Sequence, residues 1–430
     1  MNKIVASVSL AAIGASTLHA APIPGLDDAN KPWSVSATLR GFYDDNRGTA
    51  PSNSPERKGS FGFEVSPAVG IVMPWEATTL TAGYVYSYKW YDKTLPGGGG
   101  HSDSTHTFNL ALDHAFSERY NINLHDSFVI GQEPDVLRTG NAFTTFQRIS
   151  GNNIRNDGVI NFRGQVTPLV GFEVGYGNQY FDYEDEGGTA GDPSFSGLLD
   201  RIENSIHLDS RWQILPETVG VAGYQFRQVN YTGDEEIGAT ANLALPFVHS
   251  DNRDFREHYF YVGAEQVFNP QLTASVRVGA RYIDFYNDPT GNGNGWGPYA
   301  MANVRWAYTA DSYVELGLSH DMNSTDVVGG DTSTSFTASS ESTSIYGSVN
   351  HHITPKMKAS LLGQFQNSDF NGGTLDGKGE RYYLVGLNLS YQFTPHFSAE
   401  VGYNYDNLDS DAGGRSFDRN RVYIGVTGSY

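Results

Sequence analysis

Tight turns and long loops alternate along this chain in a rhythm that few folds can use. The short connections read MPWEA (73–77), FSER (116–119), TPL (167–169), LPET (215–218), FNPQ (268–271), TADS (309–312), ITPK (353–356) and FTPH (393–396). Proline fits such turns because its φ is preset and it lacks an amide donor, the same property that excludes it from a central strand. Between the turns lie longer stretches rich in Gly, Asp, Asn and Ser, such as KTLPGGGGHSD (93–103), EDEGGTAGDPSFSG (184–197) and DSDAGGR (409–415). Eight tight turns and nine long loops imply eighteen strands. Sixteen to twenty stay open, because the long segments 131–156 and 232–254 carry apolar runs such as EIGATANLALPF.

The segments in between alternate in polarity. In LTAGYVYSYKW (80–90), Leu80, Ala82, Tyr84, Tyr86, Tyr88 and Trp90 share one face and Thr81, Gly83, Ser87 and Lys89 the other. QLTASVRVGARY (271–282) sets Leu272, Ala274, Val276, Val278, Ala280 and Tyr282 against Thr273, Ser275, Arg277, Gly279 and Arg281. Period two marks a half-buried strand, and tilted strands of about 9–11 residues cross a bilayer. A soluble sandwich alternates as well. Mean hydropathy, −0.41, does not decide, since spanning strands escape hydropathy scans.

Export and the layout of the aromatics decide for the membrane. Residues 1–20, with Lys3, an apolar run from Ile4 to Leu18 and Ala20 at the expected cleavage point, read as a signal peptide. Residues 21–430 then form one outer-membrane β-barrel domain, all-β and antiparallel, with short periplasmic turns and long extracellular loops. Aromatic residues sit beside the tight turns (Trp75, Phe116, Tyr120, Phe268, Tyr308, Tyr313, Phe393, Phe397) and near the long loops (Tyr43, Trp90, Tyr180, Phe285, Tyr286), as interfacial belts require. The last strand, RVYIGVTGSY, is expected to pair with the first, SVSATLRGFYDD (34–45), because hydrocarbon offers nothing to an open sheet edge.

Several function classes are excluded. The chain has no cysteine, hence no disulfide, thiolate metal site or cysteine nucleophile, and its formal charge of −20 opposes binding to nucleic acid. It contains no HExxH, GxSxG, P-loop or Rossmann pattern, so no enzyme, cofactor or metal is expected. His351 and His352 point to opposite faces of one strand and cannot share a lumen metal. The loops YEDEGG and DNLDSDAGG have the oxygen ligands calcium uses, but read as solvated charge.

Alternate apolar residues counted back from the terminal Tyr430 resemble the signal read by the outer-membrane barrel assembly machinery, with Gly428 breaking the pattern. GFYDDN (41–46), followed by FGFEVSPAVGIV (61–72) and YVYSYKWY (84–91), resembles the putative beta-barrel porin 2 family. That resemblance implies residence in a bacterial outer membrane among lipid and lipopolysaccharide, and passage of small hydrophilic solutes; it also allows a homo-oligomer. Because some members of the group are associated with exopolysaccharide export, a conduit or accessory role there stays open. So does a rim-site enzyme using groups such as His125, His207 and Asp209.

Function in such a barrel lies on the lumen face. The inward basic residues are Arg40, Lys89, Arg163, Arg211, Arg227, Arg277, Arg281, Arg305 and Lys358. The inward acids are Glu64, Asp113, Glu173, Glu203, Asp209, Glu257, Glu265, Glu315 and Glu400. Arg163, Arg211, Arg277 and Arg305 fall at similar depth, and with Arg227, Arg281, Glu173, Glu265, Glu315 and Glu400 they are the selectivity candidates. Opposed charges across a pore order water and select solutes; alternatively they pair along the wall and keep it rigid. Tyr259, Tyr261, Tyr299, Tyr313, Tyr346, Tyr382 and Tyr423 also point inward and could guide sugar rings. The loop from Gly131 to Asp157, with Arg138, Arg148, Arg155, Phe143 and Phe146, is the candidate constriction, unless it caps the barrel outside or packs on a neighbouring subunit.

Overall fold

The computed structural model describes residues 31–95, 100–132, 142–146, 148, 152–184, 195–238, 248–288, 293–327 and 336–430. The expected leader 1–20 and Arg138 lie outside them. Strands β1 (Trp33–Asp44), β2 (Ser60–Pro74), β3 (Thr78–Tyr91), β4 (Ser102–Ser117), β5 (Tyr120–Gly131), β6 (Asn153–Gln165), β7 (Val170–Tyr183), β8 (Arg201–Leu215) and β9 (Thr218–Tyr231) form the first half of a cylinder. A small hairpin, β10 (Glu236–Gly238) and β11 (Val248–His249), stands apart from it. The second half is β12 (Phe255–Asn269), β13 (Leu272–Asp284), β14 (Gly295–Thr309), β15 (Ser312–Asn323), β16 (Ser339–Thr354), β17 (Met357–Asn371), β18 (Gly379–Thr394), β19 (Phe397–Ser410) and β20 (Phe417–Ser429).

Eighteen strands make the one large sheet, which is the expected number. All eight tight turns fall where the sequence places them, and the described start of the run at 236, Glu236–Gly238, pairs with β11 and not with the cylinder. β1 pairs with β2 on one side and with β20 on the other, from Ser36↔Ser429 to Asp44↔Arg421. The ring is thereby closed, and no spanning strand leaves its amides to hydrocarbon, where each unpaired group costs several kcal/mol. Val35 and Tyr430 exchange backbone bonds of 3.0 and 2.8 Å at the seam, and the Lys31 ammonium lies 3.7 Å from the Tyr430 ring centre.

The faces divide as the alternation predicts. Val35, Leu39, Val69, Leu208, Val262, Val278, Leu316, Val401 and Ile424 are exposed on the outside, with Trp75, Phe116, Phe268, Phe393 and Phe397 beside the tight turns. Two belt assignments are corrected. Tyr313 faces inward, its ring 4.3 Å under the Arg305 guanidinium, because it sits out of phase with the outward Val314 and Leu316. Phe285 is buried, for it joins an apolar cluster at the strand ends with Leu198, Leu199, Ile237, Val248, Phe255 and Phe336.

That cluster is the largest apolar core among the described residues, and it joins the extracellular ends of the strands to the loops above them. Arg253, in the β9–β12 connection, lies buried beside it and donates to the carbonyls of Leu198 in the β7–β8 connection and of Thr325 and Ala338 in the β15–β16 connection. One side of the extracellular mouth is therefore roofed by packed structure.

Candidate functional site: the lumen and the loop across it

Lumen charges are tied to one another along the wall. Arg163 on β6 donates to Glu173 on β7 at 2.8 Å, and Arg211 on β8 reaches Glu173 at 3.4 Å and Glu265 on β12 at 2.9 and 2.5 Å. Arg277 on β13 continues the chain to Glu265 (3.3 Å) and Asp209 (3.6 Å). Closer to the mouth, Arg227 binds Glu257 at 2.6 Å, Arg201 binds Glu203 at 2.8 Å, and Arg281 lies between Asp321 (3.4 Å) and Glu341 (3.2 Å). On the other wall Arg40 holds Glu400 at 2.6 Å and Glu64 at 3.3 Å. Arg305 pairs with Glu315 at 3.4 Å but stays 38% exposed, against 2% for Arg277.

Several of these contacts join strands that are not neighbours, and lumen-facing glycines make that reach available. Gly425 on β20 stands between Arg40 and Glu400 in register, and a Cβ there would lie 2.7 Å from the Arg40 side chain. Gly223 on β9 separates Asp209 from Tyr261, whose hydroxyl donates to Asp209 at 2.6 Å; a Cβ would come within 2.2 Å of that carboxylate. In the same way the Asn388 amide crosses Gly402 to reach the Tyr423 hydroxyl at 2.9 Å. Each glycine removes a side chain that would otherwise separate two polar groups. Their spacing on the polar face is a sequence signal that reading strand by strand misses.

The β5–β6 connection crosses the lumen. Phe143 and Phe146 pack against Tyr382, Leu384, Leu408 and Phe417 on β18, β19 and β20. The Phe143 amide donates to Gln366 Oε1 at 2.7 Å, and Gln366 Nε2 donates back to the Phe143 carbonyl at 2.8 Å. Gln366 is on β17, eight strands from β5 in one direction and nine from β6 in the other, so the contact is with the opposite wall. Arg148 fastens the returning limb: its guanidinium grips both oxygens of Asp103 on β4 at 2.8 and 2.7 Å, beside Arg47, which binds the same carboxylate at 2.7 Å. The Arg148 amide also donates to Thr49 Oγ1 at 2.8 Å, and Thr49 holds a left-handed φ of 48°, strained for a β-branched residue.

Two cavities are lined by inward-facing residues of the wall. One, about 160 Å³, is lined by Ala142 and Thr144 of the loop with Arg155, Glu203, Arg227 and Asp321 of the wall. The other, about 410 Å³, is lined by Arg40, Glu64, Lys89, Asn350, Asn388, Asn404 and Tyr423.

A family model described as Putative beta-barrel porin 2 matches residues 34–430. The chain belongs to that family. It is a porin-like barrel of the bacterial outer membrane. Similar solved structures include a BenF-like porin from Pseudomonas fluorescens Pf-5, 12% identical, with 93% of this chain and 99% of that one covered and a TM-score of 0.45. The outer membrane protein OpdK from Pseudomonas aeruginosa is also 12% identical over 93% and 99%, with a TM-score of 0.42. A mutant ferric enterobactin receptor, PfeA, from the same bacterium is 10% identical over 92% of this chain and 80% of its own, with a TM-score of 0.43. No curated protein matches the chain.

In this porin, the selectivity candidates Arg163, Arg211, Arg227, Arg277, Arg281, Arg305, Glu173, Glu265, Glu315 and Glu400 all carry partners on the wall. Of the constriction candidates, Arg148 lies in the loop, but Arg155 does not. It is part of β6, which pairs with β5 and β7 from Asn153 onward and so takes the residues before Asp157 out of the loop. Four of the candidate guiding tyrosines are corrected: Tyr259, Tyr261, Tyr299 and Tyr382 are buried, the first two by donating to carboxylates and Tyr382 under the loop phenylalanines. Tyr313, Tyr346 and Tyr423 keep partial exposure. Among the described residues, no group of three His, Asp or Glu is arranged to hold a metal ion.

Proposed function

We propose that the porin is a water-filled channel for passive diffusion of small hydrophilic solutes that carry little net charge. The observation that carries this reading is the pairing of lumen arginines with carboxylates on nearby strands, from Arg163–Glu173 through Arg277–Asp209. Fixed pairs cancel each other's far field, so a passing ion meets little net potential. Uncharged groups such as Asn350, Asn388, Asn404 and Tyr423 line the larger cavity and exchange hydrogen bonds with hydroxyls.

Size exclusion falls to the loop that Phe143 and Phe146 pin to the far wall. A crossing strap supports small solutes over a polymer chain. Liposome swelling tests the reading: vesicles bearing the porin should swell in monosaccharides faster than in oligosaccharides, with little preference between neutral and singly charged solutes of equal size. Vesicles that admit no monosaccharide would contradict it.

A further inference from the structure

On one stretch of the outer wall a carboxylate stands in the middle of a strand between apolar neighbours. Asp126 lies in the middle of β5, with Leu124 and Phe128 as the next outward residues on either side and Ile130 beyond. Among the described residues it is the one carboxylate that faces outward from the middle of a barrel strand, and it receives a single hydrogen bond, from Asn156 Nδ2 at 3.1 Å. The cross-strand row through Asp126 continues to Gly158, Asn178 and Asn204. Asn178 Nδ2 donates to Asn204 Oδ1 at 3.0 Å, and the outward Tyr176 hydroxyl donates to the same oxygen at 2.7 Å. Exposed apolar residues border the patch toward the tight turns, including Val174, Ile206 and Leu208.

Acyl chains offer no hydrogen bonds, so a carboxyl group and three carboxamides facing them leave donors and acceptors unmatched. On β1 and β2 the outward mid-strand positions avoid this: β1 presents Val35, Ala37, Leu39 and Gly41, and β2 presents Phe63, Val65, Pro67 and Val69. We infer that the outer face of β5–β8 around Asp126, Asn156, Asn178 and Asn204 is where a second copy of this chain docks within the membrane. The patch carries both hydrogen-bond signs, acceptors at Asp126 and Asn204 and donors at the Asn amides and Tyr176, which makes it complementary to itself. Identical subunits around a closed symmetry axis can use such a surface. Gly158 leaves a hollow at its centre, because a Cβ there would come 3.0 Å from Asp126 Oδ2. With no side chain in that place, the carboxylate is left open to a carboxamide donor from the partner.

The native chain has no cysteine, so a single introduced thiol reports unambiguously. In native outer-membrane vesicles treated with a membrane-permeant bis-maleimide, Asn178→Cys should join to a species of twice the chain mass. Val401→Cys, outward on the opposite wall and 50% exposed, should not. In mild detergent, Asp126→Leu should lower the mass of the wild-type oligomer to that of one chain while keeping the heat-modifiable mobility of a folded barrel, which separates lost association from lost folding. Equal joining at both positions, joining of Asn178→Cys to a different protein or to nothing, or a wild type that is already one chain would each overturn the inference.

Discussion

Phe143 and Gln366 exchange two hydrogen bonds, 2.7 and 2.8 Å, across the width of the barrel. A glutamine suits this role, since its carboxamide offers one donor and one acceptor to the two backbone groups of a single residue. Gln366→Leu keeps the bulk but leaves the Phe143 amide and carbonyl without partners, a loss of about 1–3 kcal/mol for each buried group. The loop should leave the wall for part of the time. Single-channel recordings are expected to show larger, noisier openings, with little change in the unfolding midpoint of the barrel.

Asp103 joins Arg47 and Arg148 in a buried cluster that ties the β1–β2 loop, β4 and the crossing loop together. Asp103→Asn leaves two guanidiniums facing a neutral amide, and breaking a buried pair costs about 3–5 kcal/mol. Urea unfolding of the detergent-folded protein should move to distinctly lower denaturant, and the channel noise of Gln366→Leu should appear here as well.

Arg305 and Arg277 separate charge selection from architecture. Arg305 is the more exposed, held by one carboxylate at 3.4 Å, whereas Arg277 is buried between Glu265 and Asp209. Reversal potentials in a salt gradient should shift toward cations for Arg305→Gln. Arg277→Gln should instead lower stability by about 3–5 kcal/mol, the cost of an uncompensated buried charge, with a smaller shift in selectivity.

Gly223 and Gly425 hold space for contacts between strands two apart. Gly223→Leu would drive a side chain into the Asp209–Tyr261 bond, and overpacking of this kind costs about 1–3 kcal/mol. A lowered urea midpoint is expected. The same substitution at Gly428, where a Cβ meets nothing within 4 Å, should leave the midpoint unchanged.

Asp200, in the extracellular β7–β8 connection, accepts the Tyr183 amide at 2.7 Å, yet burial and the nearby Asp182 and Glu235 raise its pKa from the ordinary carboxylate range to about 7. A raised acid binds its proton more tightly in the folded protein, so the stability it contributes is fully present below the unfolded-state pKa of about 3.9 and is lost as pH rises through about 7. Hydrogen exchange in 195–199, corrected for intrinsic rate, should show protection falling between pH 5 and pH 8. Asp200→Asn should abolish that dependence.

The fold was legible because its physics is local and repeated. Leu80 to Trp90 alternate on one face whatever the rest of the chain does, and Pro74 or Pro270 ends a strand for reasons internal to proline. Register then follows, since a slip by one residue would turn Val35 and Leu39 inward. The faces of Arg163, Glu173 and Arg277 were legible on the same grounds. Their partners were not: whether Arg211 reaches Glu265 depends on strands meeting across an intervening glycine, which no single segment encodes. Phe143 and Phe146 pointed to a loop that seeks cover, but their target on β18 is far away in sequence. That Tyr259 and Tyr382 lie covered was not legible, because period two gives the face of a side chain and not what lies over it. Asp126 faces outward through the same alternation, and its neighbours Asn178 and Asn204 emerge only once the strands are paired.

A water-filled passage narrowed by the β5–β6 loop is the central claim, and planar-bilayer recording of the purified porin tests it most directly. The wild type should give a steady, ohmic conductance, and Gln366→Leu a larger one. Silence from both, with folded barrels demonstrably inserted, would contradict it.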